Sequence, residues 1–219
     1  MFRPLFVCAA GVLVFILMSR ASAQQPSTGS SSSKNAKPEQ HVKREQPASD
    51  LTQKIYRDPT YGFTYTVPYG WVDRTHEMQG DEGDPAKGKV LLAAFERPPE
   101  AAGETVNSAV VIAQEPASSY PGLKTAADYV GPVTELATSK GFKPAADPSV
   151  LSVDGKELVR CDFTRDLGKV TMRQSTLILV QKQSIVSFTF IGGSDDDIEE
   201  LVEGLSFGGG HGSRAAPKK

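Results

Sequence analysis

Carboxylates crowd one short segment near the end of the chain. Residues Asp195 to Asp197 are acidic, and Glu199 and Glu200 follow them. Several carboxylates together suit a hard cation such as Ca²⁺, but the spacing lacks the central glycine and the distal glutamate of a calcium-binding loop. Ser194 is a good helix N-cap, and the first turn of a helix stabilises acidic side chains without any ligand. The pattern therefore predicts the start of a helix, and calcium binding is the alternative.

Histidine and cysteine, which often carry catalysis, are scarce. Within residues 51–207, His76 is the only histidine and Cys161 the only cysteine. The residues after His76 do not complete an H-E-x-x-H zinc motif, so we interpret it as a surface histidine at the end of a strand. Cys161 alternates with Val159 and Phe163, which predicts a buried thiol rather than a nucleophile. We therefore predict no catalytic residue, no metal site and no cofactor.

Basic side chains recur on two predicted neighbouring strands. They are Arg160, Arg165, Lys169 and Arg173. Such a row can meet an anionic ligand or partner, and it is also what the solvated face of a sheet contains. We keep Arg160 and Arg173 as candidate binding residues.

Aromatic residues are densest between Tyr61 and Trp71, the only tryptophan of the chain. Phe63, Tyr65 and Val67 alternate with threonines, a pattern that predicts the first strand of the folded domain. The proline at position 68 ends the ladder because it has no N–H, and the next two residues turn the chain back onto the core. Tyr69 and Trp71 are therefore candidates for a ligand pocket, which we expect between a helix and the sheet.

Hydrophobic periodicity indicates the elements that must position these residues. A helix is predicted from Thr125 to Lys140, with a kink or two abutting pieces at Gly131-Pro132. A second helix is predicted at 195–203, and further strands at 90–96, 109–114, 150–153, 157–165, 169–180 and 184–191. The late strands are joined by short links, so they must be antiparallel. Leu177 to Val180 are all apolar, which predicts cover on both faces.

Strands and helices that segregate along the chain indicate an α+β domain. We expect a central antiparallel sheet of about six or seven strands flanked by helices, within residues 51–207. This stretch has 15 Lys and Arg against 23 Asp and Glu, a net charge of −8. Nucleic-acid binders normally show the opposite sign, so we expect no nucleic acid partner.

The N-terminus has the pattern of a secretory signal peptide. Arg3 precedes the apolar run from Leu5 to Met18, and Ala21 and Ala23 form an A-x-A cleavage site before Gln24. The run is shorter than the ~20 residues that cross a bilayer as a helix. We therefore expect residues 1–23 to be removed, the protein to be periplasmic or extracellular, and no stable membrane insertion afterwards.

Two segments have too little apolar content to form a core. Residues 24–50 are rich in Ser, Gln, Lys and Pro, which predicts a disordered linker. Residues 208–219 begin with a glycine run and are expected to form a flexible tail.

Three short motifs give the domain a family resemblance. They are Tyr61-Gly62-Phe63, Pro68-x-Gly70-Trp71 and Leu205-x-Phe207. With the predicted order of elements, the chain resembles the PsbP-like and DcrB-like proteins of the α/β/α sandwich superfamily. The resemblance implies a sheet between helices, export in many bacterial members and mostly non-enzymatic roles. It covers nearly all of residues 51–207.

Three functions remain open at this point. The first is a secreted or periplasmic, non-catalytic module that binds a protein or an envelope component. The second is a secreted hydrolase with an unrecognised site, in which His76 would act. The third is a small-molecule carrier with a pocket near Tyr69 and Trp71.

Overall fold

The computed structural model describes residues 54–79, 88–101 and 103–208. The predicted cleavage residues Ala21, Ala23 and Gln24, the 24–50 linker and residues 209–219 lie outside these ranges. The described strands are β1 (Ile55–Asp58), β2 (Phe63–Thr66), β3 (Val72–Asp73), β4 (Lys89–Phe95), β5 (Ala109–Pro116), β6 (Lys143–Pro144), β7 (Ser149–Val153), β8 (Lys156–Leu167), β9 (Val170–Gln181), β10 (Ser184–Gly192) and β11 (Leu205–Phe207). The described α-helices are α1 (Thr75–Met78), α2 (Val130–Ser139) and α3 (Asp195–Glu203), and short 3-10 helices lie at Ala117–Ser119 and Ala126–Tyr129.

Most of the described strands belong to one antiparallel sheet of eight. Its order is β3-β4-β5-β10-β9-β8-β6, with β7 paired to β8 beside this path. A second sheet of three strands has the order β1-β2-β11. The successive hairpins from β7 to β10 confirm the predicted antiparallel meander. The fold class is α+β, as predicted, although the central sheet has more strands than the expected six or seven.

The aromatic stretch 61–71 does not contain the first strand, so that prediction was wrong. β1 precedes the stretch, and only residues 63–66 within it are extended, as β2. Both strands belong to the small sheet. β1 lacks the signature of a buried strand because it is an edge, in which Ile55 stays 40% exposed. Gly62 makes the turn between the two strands with a φ of +72°.

Both faces of the central sheet are covered. On one face, Leu177 and Leu179 pack in a cluster that includes side chains of α3 and of the small sheet. On the other face, Ile178 packs in a cluster that includes Val133 of α2. Successive residues of a strand point to opposite faces, so one strand contributes to both clusters. The prediction drawn from the apolar run 177–180 is confirmed.

The mid-chain helical segment and α3 begin where the sequence predicts, at Thr125 and Ser194. Thr125 and Asp128 form a capping box at the start of the 3-10 helix, and Ser194 accepts the N–H of Asp197 at 3.1 Å at the start of α3. The mid-chain helix consists of two abutting pieces, but they meet between Tyr129 and Val130. The junction precedes the expected position because proline is tolerated in the first turn of a helix, where α2 places its proline.

Candidate binding sites

The turn from Pro68 to Trp71 and strand β4 enclose a cleft of about 150 Å³, which we call the Trp71 cleft. Gly70 adopts a φ of +82°, and the N–H of Trp71 donates to the carbonyl of Pro68 at 3.4 Å. The lining residues are Lys54, Val67, Pro68, Tyr69, Gly70, Trp71, Asp73, Leu92 and Ala94. Both aromatic candidates, Tyr69 and Trp71, thus meet at one cavity. Its walls are a turn and a strand, whereas the expected wall was a helix.

The two aromatic side chains differ in exposure. Tyr69 is 65% exposed, although it is a large side chain. Trp71 is half-buried and packs against the core cluster beneath the small sheet. The cleft therefore has a fixed aromatic wall and a free aromatic side chain at its edge.

An ion pair lies at the polar side of the Trp71 cleft. The ammonium of Lys54 donates to the carboxylate of Asp73, whose other oxygen accepts the N–H of Thr75 at 2.9 Å and its hydroxyl at 2.6 Å. Burial raises the pKa of Asp73, but the hydrogen bonds from Lys54 and Thr75 outweigh it and hold the pKa below its ordinary value. The carboxylate is thus kept ionised beside an apolar wall.

The candidate arginines pair with the acidic segment. Arg160 donates to Asp162 at 2.9 Å and lies 2.7 Å from the carboxylate of Glu199 in α3. Arg173 lies 3.3 Å from Asp195, at the start of the same helix. The structure brings the two arginines to one face, but the pairs tie β8 and β9 to α3. Arg160 and Arg173, which suggested an anionic partner, thus form ion pairs with two carboxylates of the acidic segment.

The remaining basic residues lie elsewhere. The guanidinium of Arg165 stacks over the ring of Phe142 at 6.0 Å, close to the C-terminal end of α2. Lys169 is in the turn between β8 and β9. The predicted row of four basic residues is thus divided between the two faces of the sheet and a turn.

His76 lies at the surface, whereas Cys161 lies in the core. His76 is exposed on the single turn of α1, directly after β3. Cys161 is 2% exposed, and burial, with a smaller effect of Asp162, raises the pKa of its thiol to about 11. In the ranges that the structure describes, no group of three His, Cys, Asp or Glu side chains could hold a metal ion.

A second cavity, which the sequence analysis did not predict, lies between α2 and the central sheet. It has a volume of about 90 Å³, and we call it the α2 cavity. Its lining residues are Val111, Ala113, Glu115, Tyr129, Val133, Leu136, Ala137, Lys140, Gln174, Thr176, Ser187 and Thr189. The only sequence feature that points to this cavity is the alternation of Ser187 and Thr189 with Val186 and Phe188. That alternation is typical of a strand with one face in solvent. The structure covers that face with a helix.

One end of the α2 cavity holds a carboxylate between two phenols. Glu115 accepts the hydroxyl of Tyr129 at 2.8 Å and also that of Tyr120. The two rings meet edge to face, with centroids 4.9 Å apart. Burial, followed by the charge of Glu115, raises the pKa of Tyr129 well above its ordinary value. Tyr129 is therefore a neutral hydrogen-bond donor at any ordinary pH.

Comparisons with known proteins identify a resemblance of fold only. No family model matches the chain, and no curated protein matches it. Cyanobacterial PsbP from Synechocystis sp. PCC 6803 is similar at 12% identity and a TM-score of 0.47, over 74% of this chain and 95% of that one. The Ran-binding protein Mog1p of Saccharomyces cerevisiae is similar at 11% identity and a TM-score of 0.42, over 72% of this chain and 96% of that one.

LpqN of Mycobacterium tuberculosis, which is involved in cell envelope biogenesis, is similar at 12% identity and a TM-score of 0.38, over 72% of this chain and 91% of that one. A PsbP protein is thus among the structures that this chain resembles, as its motifs predict. Identities and TM-scores at this level carry nothing about function. Separately, no helix in the described ranges is both long enough and apolar enough to cross a membrane.

Proposed function

We propose that this chain is an exported, non-catalytic binding protein, and that it binds a protein partner at the Trp71 cleft. The observation that carries the proposal is the 65% exposure of Tyr69 beside that cleft. A tyrosine in water leaves a large apolar ring uncovered, and aromatic side chains are the commonest anchors of protein interfaces. The ring of Pro68 and the hydrogen bond from the N–H of Trp71 to its carbonyl restrict the turn, so less order is lost on binding.

The chemistry of the cleft suits a partner side chain. Val67, Trp71 and Leu92 supply an apolar wall, and the Lys54–Asp73 ion pair supplies polar groups at the other side. A volume of about 150 Å³ accommodates one apolar side chain of a partner. The same volume also fits a free small molecule, so a small-molecule carrier is the second candidate function. The hydrolase alternative has no support from His76, which does not line this cleft.

Site-specific photo-crosslinking in the producing cell tests the proposal. A photoreactive phenylalanine analogue replaces Tyr69 in one variant and Val150 in a matched variant, because Val150 is 68% exposed but does not line the cleft. We expect a discrete crosslinked protein from position 69 only. Equal crosslinking from both positions, or none from position 69, would contradict the proposal.

Trp71 is an internal reporter of occupancy, since the chain has one tryptophan. The partner identified by crosslinking, once purified, should change the emission of Trp71 on titration. Tyr69→Ser should weaken that binding about tenfold or more, the effect of losing an interface anchor, and Val150→Ser should leave it unchanged. If the emission responds only to small apolar molecules and not to the protein, the carrier function replaces the proposed one.

Export is a separate part of the proposal, supported by the A-x-A pattern. The protein recovered from the periplasm or medium should begin at Gln24, as measured by N-terminal mass spectrometry. Ala23→Asp should block cleavage, because a small residue is required at that position. A cytoplasmic protein with an intact N-terminus would refute export without bearing on the Trp71 cleft.

A further inference from the structure

The two buried faces of the central sheet differ in polarity. Beneath the small sheet, the side chains of β9 and β10 that form the core are apolar, with Leu177, Phe188 and Phe190 fully buried. Beneath α2, the same two strands present Thr176 and Thr189 in a cross-strand pair, with hydroxyls 3.3 Å apart. Buried hydroxyls weaken a purely structural core, because each must be compensated by hydrogen bonds. The polar strip lies where the α2 cavity separates helix from sheet.

The polar groups of this cavity are arranged along its length. Gln174 donates to Thr176 at 3.2 Å at one end, near the end of α2 that carries Lys140. Glu115 lies four residues beyond Val111 on β5, so the lining extends over roughly 13 Å at about 3.3 Å per residue. Glu115 is the only acidic residue among the described residues that line the cavity.

Two oxygen atoms at the Glu115 end can accept further hydrogen bonds. Oε2 of Glu115 accepts the two tyrosine hydroxyls, and no described residue donates to Oε1. The hydroxyl oxygen of Tyr129 retains a lone pair after donating to Glu115. Ser187, on the neighbouring strand β10, also lines the cavity.

We propose that the α2 cavity binds an unbranched primary alkylammonium group, with its nitrogen at Glu115 and its methylenes against the apolar side of α2. An ammonium has N–H donors for both remaining acceptors, Glu115 Oε1 and Tyr129 Oη. Val133 and Ala137 of α2 and Ala113 of β5 supply the apolar surface for the chain. Neither an anion nor a neutral alcohol satisfies a carboxylate as well, because charged hydrogen bonds are the stronger ones.

The size of the cavity limits the enclosed part of the ligand. At about 30 Å³ per water-sized group, 90 Å³ holds roughly three non-hydrogen atoms. The ammonium nitrogen and the first two carbons of a butylammonium group fill this volume, and the last two carbons extend beyond it. The same group occurs as a free amine and as a lysine side chain. This site is independent of the Trp71 cleft.

Titration with n-butylammonium at physiological salt, followed by methyl NMR of Val111, Val133 and Leu136, tests the proposal. We expect saturable shifts at these methyls with a Kd of about 1 mM, which is ordinary for so small a ligand. We expect n-butanol and butyrate to bind at least about tenfold more weakly, because neither offers a cationic donor. Titration with Nα-acetyl-lysine methylamide distinguishes the two sources of the group. If the natural ligand is a lysine side chain, this compound should bind as tightly as n-butylammonium. If it is a free amine, only n-butylammonium should bind.

Glu115→Gln removes the charge while its amide oxygen still accepts the tyrosine hydroxyls, and should weaken n-butylammonium binding about tenfold or more. Glu135→Gln is the matched control. Glu135 is exposed on the outer side of α2, away from the cavity, so this variant should bind n-butylammonium like the wild type. If Glu115→Gln does not fold, Ala137→Leu provides the second test, since it fills the cavity with a good helix former and should abolish binding. Equal shifts with n-butanol, equal effects of the two glutamine variants, or shifts scattered over the acidic surface would overturn the proposal.

Discussion

Replacing Gly204 with alanine tests how closely the small sheet is seated on the end of α3. Gly204 is the C-cap of α3 with a φ of −66°, a conformation open to any residue. A Cβ atom there would lie 3.0 Å from the carbonyl oxygen of Thr66 and 3.0 Å from Cε2 of Tyr65. The cost of the substitution must therefore come from contact and not from backbone strain.

Neither neighbour can move away without loss. Tyr65 is 0% exposed, and its hydroxyl donates to the carbonyl of Leu201 at 3.0 Å. The N–H of Thr66 donates to the carbonyl of Gly204 at 2.9 Å. Overpacking costs about 1–3 kcal/mol, and the lost flexibility of the unfolded chain returns about 0.4–1 kcal/mol. We expect Gly204→Ala to lower the free energy of unfolding by about 1–2 kcal/mol and Tm by roughly 2–8 °C.

Urea unfolding followed by Trp71 emission measures this change, and Gly131→Ala is the matched control. Gly131 is in the first turn of α2, and nothing lies within 4 Å of its Cβ position. That variant should gain about 0.4–1 kcal/mol, because only the unfolded chain is affected. The reasoning is refuted if Gly204→Ala is as stable as the wild type, or if it gains as Gly131→Ala does.

Three further predictions concern groups whose surroundings differ. The pKa of Tyr129 is raised in the folded protein, so its contribution to stability is complete below about pH 10 and is lost as the pH rises further. The free energy of unfolding should therefore decline above about pH 9, and Tyr129→Phe should make that decline less steep. In urea unfolding, Arg160→Ala should lower the free energy of unfolding by about 1.5–3 kcal/mol, because the Arg160 side chain is 17% exposed and has two carboxylate partners. Arg173→Ala breaks a pair with a largely exposed carboxylate and should lower it by less than about 1 kcal/mol. Cys161, with a pKa raised to about 11, should resist iodoacetamide at pH 8 in the native protein and react fully in urea, as measured by mass spectrometry.

Much of the fold could be predicted because its signals are local. Some predicted features depend only on residues that are close in sequence, namely the caps at Thr125 and Ser194 and the apolar run 177–180. Each of them is found in the structure. Asp154 and Gly155 form the tight turn between β7 and β8, with both residues at positive φ, as is typical of an Asp-Gly pair. β1 was missed because an exposed edge strand carries little hydrophobic pattern.

The candidate sites were less accessible to prediction, because they depend on which element covers which face. Periodicity shows that Ser187 and Thr189 share a face, but it does not show that α2 covers them. In the same way, Arg160 on β8 and Glu199 on α3 are far apart in sequence, and only the packing of the helix makes them partners.

Local sequence was enough to predict the longer strands from 90 to 191, the caps at Thr125 and Ser194 and the burial of Cys161, because each follows from backbone geometry and side-chain spacing over a few residues. Three features came from tertiary contacts: β2 pairs with β11, Asp195 and Glu199 of α3 pair with arginines of β9 and β8, and a polar strip lies beneath a helix. These outcomes depend on contacts between distant segments, whose free energies come from the packed core as a whole and not from any local stretch.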